Sequence, residues 1–144
     1  MDIVKIISIT PSFIEEHIIQ FLDIISDSEH EYWGKEEFLY DLPNKWNSSI
    51  ALVKQTVIIG FIISSLKQNT FHIHKFFIHK DYRSCGYGEM LLKEFERKIM
   101  QDFSVHSISL KVYFDNSKAI AFYKKNGFVK TTKEQTLQVL KKEI

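Results

Sequence analysis

Two of the chain's five glycines, Gly86 and Gly88, stand with an arginine in the stretch Arg83-Ser84-Cys85-Gly86-Tyr87-Gly88, directly ahead of a helical run. A strand, a tight turn and a helix N-terminus in that order form an anion site, because several backbone N–H groups point outward unpaired and the helix dipole adds positive charge. Glycine lets a phosphate approach the amides, and Arg83 adds charge beside it. A nucleotide P-loop would need Lys and Ser or Thr after the last glycine, where Glu89 and Met90 stand. A dinucleotide fingerprint would need a third glycine at the position of Leu91. His72 and His74 alternate with Phe71 and Ile73, so they share one face of a strand; as zinc ligands they would need a third partner, which no spacing supplies. Cys85 would need a base to act as a nucleophile, and no motif provides one. No metal site is expected.

The elements that must hold these residues follow from period and punctuation. Asp2 to Ile9 reads as a strand, and Phe13 to Ile25 as one helix capped by Ser12, with Glu15 and Glu16 in its first turn. A short helix is expected from Lys35 to Leu42, closed by Pro43. Ile50 to Lys54, Val57 to Leu66 and Phe71 to His79 form an antiparallel meander with short turns. Leu91, Leu92, Phe95 and Ile99 make the apolar stripe of a helix lying on a sheet. His106 to Phe114 returns as a strand, joined to the one before the loop by a right-handed parallel crossover. A second helix is capped by Asn116 or Ser117 and stops at Asn126-Gly127, and Thr136 to Lys142 offers a final strand.

With 144 residues, 44% hydrophobic and 26% charged, and a formal net charge of +1, the chain reads as one α/β domain with an ordinary soluble composition. That charge gives no reason to expect nucleic acid or an anionic membrane as partner. A single cysteine and the lack of a long apolar run fit a cytoplasmic protein.

Arg83 to Gly88 resembles the acetyl-CoA loop of the GNAT superfamily of N-acetyltransferases, Arg/Gln-x-x-Gly-x-Gly/Ala. Asn116 to Phe128, "NSKAIAFYKKNGF", is similar to that family's second signature, Asn-x-x-Ala-x-x-Phe/Leu-Tyr-x-x-x-Gly-Phe. The likeness covers residues 71 to 130; Lys80 departs from it, standing where many members carry proline. It implies a central mixed, mostly antiparallel sheet of six to seven strands flanked by helices, with a splayed parallel pair around acetyl-CoA. It further implies that Phe77 and Ile78 meet the pantetheine arm and that the amides of Ser84, Cys85, Gly86, Tyr87 and Gly88 hold the pyrophosphate. By the same likeness Asn116 orders the cofactor arm, Ala119 leaves room for it, and Tyr123 protonates the departing thiolate. A homodimer would be in keeping with many members.

An attacking amine must be neutral, so a base has to take its proton. His72, with His74 beside it, is the expected base, and a strand N–H the expected oxyanion donor. The acceptor is read as a small cationic amine or amino sugar, or a protein or peptide amine. The acids Asp27, Glu29, Glu31, Glu36, Glu37 and Asp41 would draw a cation, or else form a solvated face. Tyr32, Trp33, Phe38, Tyr40 and Trp46 are expected in core and pocket wall. The alternative is a CoA-binding module without catalysis.

Overall fold

The computed structural model describes residues 3–28 and 32–144. Strand β1 (Val4–Ser8) leads to helices α1 (Pro11–Glu16), α2 (Ile18–Ile25), α3 (Lys35–Leu39) and α4 (Lys45–Ser48). The meander follows as β2 (Ile50–Lys54), β3 (Val57–Lys67) and β4 (Thr70–Ile78). A turn of 3₁₀ helix (Lys80–Tyr82) and the glycine loop enter α5 (Tyr87–Phe103). Strand β5 (Ser107–Tyr113), α6 (Ser117–Lys125), β6 (Val129–Glu134) and β7 (Leu137–Glu143) complete the chain.

The strands make one seven-stranded sheet in the order β1-β2-β3-β4-β5-β7-β6. Every pair is antiparallel except β4 with β5. One face buries Phe71, Ile73, Ile108 and Leu110 against Leu91, Leu92, Phe95 and Ile99 of α5. The other buries Ala51, Phe61 and Ile63 against Ile14, Phe21 and Phe38. The expected mixed sheet with a parallel crossover is therefore present.

Several local expectations are corrected. The helix expected from Phe13 to Ile25 is broken at His17, whose backbone leaves the helical region (φ −121°, ψ 21°) while its ring Nδ1 meets the Phe13 carbonyl at 3.0 Å. The cap is Thr10, whose hydroxyl accepts the Phe13 N–H at 3.1 Å; Ser12 lies inside the helix. Proline is at home in the first helical position, so the cap has to precede Pro11. Glu15 and Glu16 consequently end α1 and lie outside its first turn. Helix α3 stops at Leu39, three residues before Leu42, because Tyr40 turns extended and the buried Lys45 ammonium takes the carbonyls of Phe38 and Tyr40. Strand β6 and helix α4 lie where neither was expected. All six β6 side chains are exposed and show no apolar alternation, and α4 has only four residues.

Two irregularities shape β4. Ile63 pairs with Lys75 and Ser64 with Ile73, so His74 is an extra residue in the strand, a β-bulge. On its other edge β4 meets β5 through only Phe71–Ile108, His72–Ser109 and Ile73–Leu110. Past that point the two strands diverge.

Candidate functional site

The divergence opens a cleft of about 1050 Å³ between β4, the glycine loop and α6. Phe77 and Ile78 line it from β4, Arg83, Ser84, Gly86 and Gly88 from the loop. Asn116, Ala119 and Tyr123 close it from the start and inner face of α6. Cys85 and Tyr87 do not line it: the Cys85 thiol is exposed and turned back to the Arg83 carbonyl at 3.4 Å, and the Tyr87 ring lies 6.2 Å from that of Tyr82.

Ser84 and Gly86 both adopt left-handed backbone, with φ of 61° and 85°. For Gly86, which caps α5, glycine is the residue that takes this conformation without a Cβ penalty, and nothing lies within 4 Å of where a Cβ would stand. Gly88 serves a different purpose. A Cβ there would meet the Phe122 ring at 3.3 Å, so its missing side chain admits α6 against α5. Among the described residues no protein acceptor takes the backbone N–H groups of Ser84 to Gly88, and no side chain caps α5. Ser84, Gly86 and Gly88 line the cleft, so amides without a protein partner stand beside it at a helix N-terminus, an arrangement suited to an anion.

Arg83 is already engaged. Its Nε donates to the Ile78 carbonyl at 3.0 Å, and its two terminal nitrogens fork onto the Asp27 carboxylate at 2.9 and 3.3 Å. The hydrogen bond from Arg83 is the largest influence on the Asp27 carboxyl and, together with the Arg83 charge, holds it below its ordinary range against the opposing effect of burial. Asp27 also lines the cleft, yet nothing in the sequence pointed to this pair, which lies 56 residues apart. The Asn116 side chain caps α6, accepting the Ala119 N–H at 3.2 Å.

Tyr123 is 9% exposed, with its ring 6.2 Å from Phe76, 5.5 Å from Phe122 and 5.3 Å from Phe128. Burial pushes its hydroxyl above the ordinary phenol range, so it remains a proton donor. His72 and His74 do not line the cleft; His72 lies within the parallel ladder and His74 one residue past its last rung. His72 Nδ1 is 2.9 Å from Ser109 Oγ, His74 Nε2 is 2.7 Å from Ser65 Oγ, and the two rings meet edge-on at 4.9 Å. Burial lowers both imidazoles to about 4, helped at His72 by Lys111 and Lys67 and at His74 by His72 and Lys45.

Among the acids expected to draw a cation, Glu37 accepts the Gly34 N–H at 2.7 Å and Asp41 the Trp46 indole at 3.0 Å. Glu29 and Glu31 lie outside the described residues. Phe38 is core, while Tyr32 and Tyr40 are 84% and 60% exposed, against the expectation that all five aromatics line core and wall.

The family model for the acetyltransferase (GNAT) family matches residues 18–128. Among solved structures, the ribosomal-protein-S18-alanine N-acetyltransferase of Escherichia coli superposes with a TM-score of 0.82 at 17% identity, covering 99% of this chain and 94% of that one. Ard1 from Thermoplasma volcanium gives 0.81 at 26% identity, covering 98% and 97%. The PaiA N-acetyltransferase of Thermoplasma acidophilum, solved with coenzyme A, gives 0.78 at 20% identity, covering 99% of each chain.

Proposed function

The chain belongs to the acetyltransferase (GNAT) family, and from that premise we propose that residues 1–144 act as one N-acetyltransferase domain. It moves an acetyl group from acetyl-CoA to a primary amine by direct attack within a ternary complex. The observation that carries this reading is the meeting of two features in one cleft: a β4 edge that β5 leaves after Ile73, and a row of unbonded amides at the start of α5. The Ser84–Gly88 amides seat the diphosphate, with Cys85 and Tyr87 contributing through their backbones. Phe77 and Ile78 offer strand edge to the amide-bearing pantetheine arm. Ala119 leaves it room, and Asn116 supports the neighbouring turn of α6. The complex of the Thermoplasma acidophilum relative with coenzyme A supports this choice of donor.

The amine nitrogen attacks the thioester carbonyl carbon, a C–N bond forms, and the C–S bond breaks. Tyr123 gives its proton to the departing sulfur, a group that gains basicity as the bond breaks. His72, with His74 beside it, takes the proton the nitrogen sheds. Because burial keeps both imidazoles neutral, they are ready to accept at neutral pH. Their low basicity means that they act after attack has made the nitrogen acidic. Two of the acids expected to draw a small cation, Glu37 and Asp41, are bound to the protein's own donors. This favours a peptide or protein amine as acceptor, as does the name of the Escherichia coli relative, an alanine N-acetyltransferase.

The test is release of CoA thiol from acetyl-CoA with a panel of amines that includes peptide N-termini, lysine peptides, polyamines and amino sugars. Turnover with at least one is expected. Tight donor binding without turnover on any amine would leave a CoA-binding module in its place.

A further inference from the structure

The Asp27 carboxylate sits in the same cleft as the open amides, and it occupies the fork of the only arginine in the loop. Carboxylate and phosphate present the same planar pair of acceptors to a guanidinium, so the two compete for one fork. A diphosphate seated on the Ser84–Gly88 amides, beginning one residue beyond Arg83, would also bring negative charge close to Asp27. We propose that Asp27 stands in for the donor's diphosphate while the cleft is empty and hands Arg83 over when the donor binds, which makes Asp27 a residue that sets donor affinity. The proposal rests on the acetyl-CoA reading above and adds a residue to it.

The geometry allows the exchange. Arg83 keeps its Nε bond to the Ile78 carbonyl, which anchors the planar fork at the end of β4, while the exposed Asp27 carboxylate swings off the two terminal nitrogens. The side chains of Arg83 and Asp27 are 45% and 40% exposed, so the released carboxylate returns to water without a burial cost. Exposed ion pairs of this kind are worth about fivefold or less in an equilibrium constant, small enough for a diphosphate held by several amides to break.

The test compares wild type with Asp27→Asn, which keeps the shape and removes the charge, by calorimetric titration with CoA, pantetheine and inorganic pyrophosphate. Asp27→Asn is expected to bind CoA and pyrophosphate about 2- to 5-fold more tightly and pantetheine unchanged, a selectivity that a merely structural change would not produce. In an Arg83→Gln background the same substitution should lose most of that gain. Asp27→Glu should restore the wild-type CoA affinity. Equal or weaker CoA binding by a folded Asp27→Asn protein, or an equal gain for pantetheine, would overturn the hand-over. Wild type that binds pyrophosphate but not CoA would sink the acetyl-CoA reading instead, and the Asp27 comparison on pyrophosphate would still decide this one. Failure of wild type to bind either ligand would remove both.

Discussion

Ile73 and Leu110 form the last rung of the parallel ladder, although β4 runs on to Ile78 and β5 to Tyr113. Beyond that rung β4 still pairs with β3 but leaves its other edge without a strand, and unpaired peptide groups inside a fold have to find another partner. Arg83 takes one of them, the Ile78 carbonyl. Phe76, Phe77 and Ile78 line the cleft along that edge, where a ligand carrying its own amides can extend the ladder.

The position of that edge depends on Gly60, which pairs with Ile78 on the β3 side. A Cβ at Gly60 would stand 2.5 Å from Ile78 Cδ1 and 2.8 Å from the Phe77 carbonyl oxygen, and a backbone carbonyl cannot yield without moving the strand. Gly60→Ala is therefore expected to cost about 1–3 kcal/mol, the usual range for overpacking. It should also weaken CoA binding by shifting Phe77 and Ile78. Urea unfolding and a CoA titration on the same variant check both effects.

Tyr123→Phe removes one hydroxyl from a ring otherwise held by Phe76, Phe122 and Phe128. Packing survives, so donor affinity should hardly change. Turnover should fall about 10- to 1000-fold, as for loss of a general acid. Steady-state kinetics with saturating acceptor separate kcat from KM; an unaltered kcat would take Tyr123 out of the mechanism.

The parts of this architecture that were legible in the chain are those with a local signal. The three meander strands could be placed from β-branched runs and short polar turns, and α5 and α6 from an apolar stripe and a stop at Asn126-Gly127. Strand β6 had no such signal, because it is an edge strand with every side chain in water. The break at His17 reflects competition for one carbonyl, and the end of α3 reflects a lysine reaching back from the next helix. In the site, the loop and Tyr123 announced themselves by motif. The partnership of Arg83 with Asp27 did not, since it exists only once the residues that follow α2 and the loop are folded against the same cleft.

The two histidines of β4 also make stability depend on pH. Burial lowers each from 6.5 to about 4, so between those values the unfolded chain binds more protons than the folded one. Their contribution is complete above about pH 6.5 and is lost as pH falls towards 4. Their 4.9 Å ring separation, with Lys111 and Lys67 near His72 and Lys45 near His74, makes charging both together costlier still. Urea midpoints should drop between about pH 7 and pH 5 in wild type, and the drop should shrink in His72→Asn/His74→Asn. An equal slope in the double variant would assign the pH dependence to other groups.

Lys45 gives the last prediction, on the wall formed by α3 and α4. It is fully buried, and its ammonium donates to the carbonyls of Tyr40, Phe38 and Glu37 at 2.6, 2.7 and 3.3 Å, with the Trp46 and Trp33 rings 4.7 and 5.6 Å away. Helix ends leave carbonyls without intrahelical donors, and here one cation serves three at the end of α3. Lys45→Met keeps the apolar stem and removes every donor. Orphaning buried carbonyls costs about 1–3 kcal/mol each at most, less where water reaches them, so a loss of about 2–4 kcal/mol is expected. Lys45 does not line the donor cleft, so CoA binding to the folded fraction should be retained. Urea unfolding with a parallel CoA titration measures both; a Lys45→Met protein as stable as wild type would mean that water satisfies those carbonyls as well as the ammonium does.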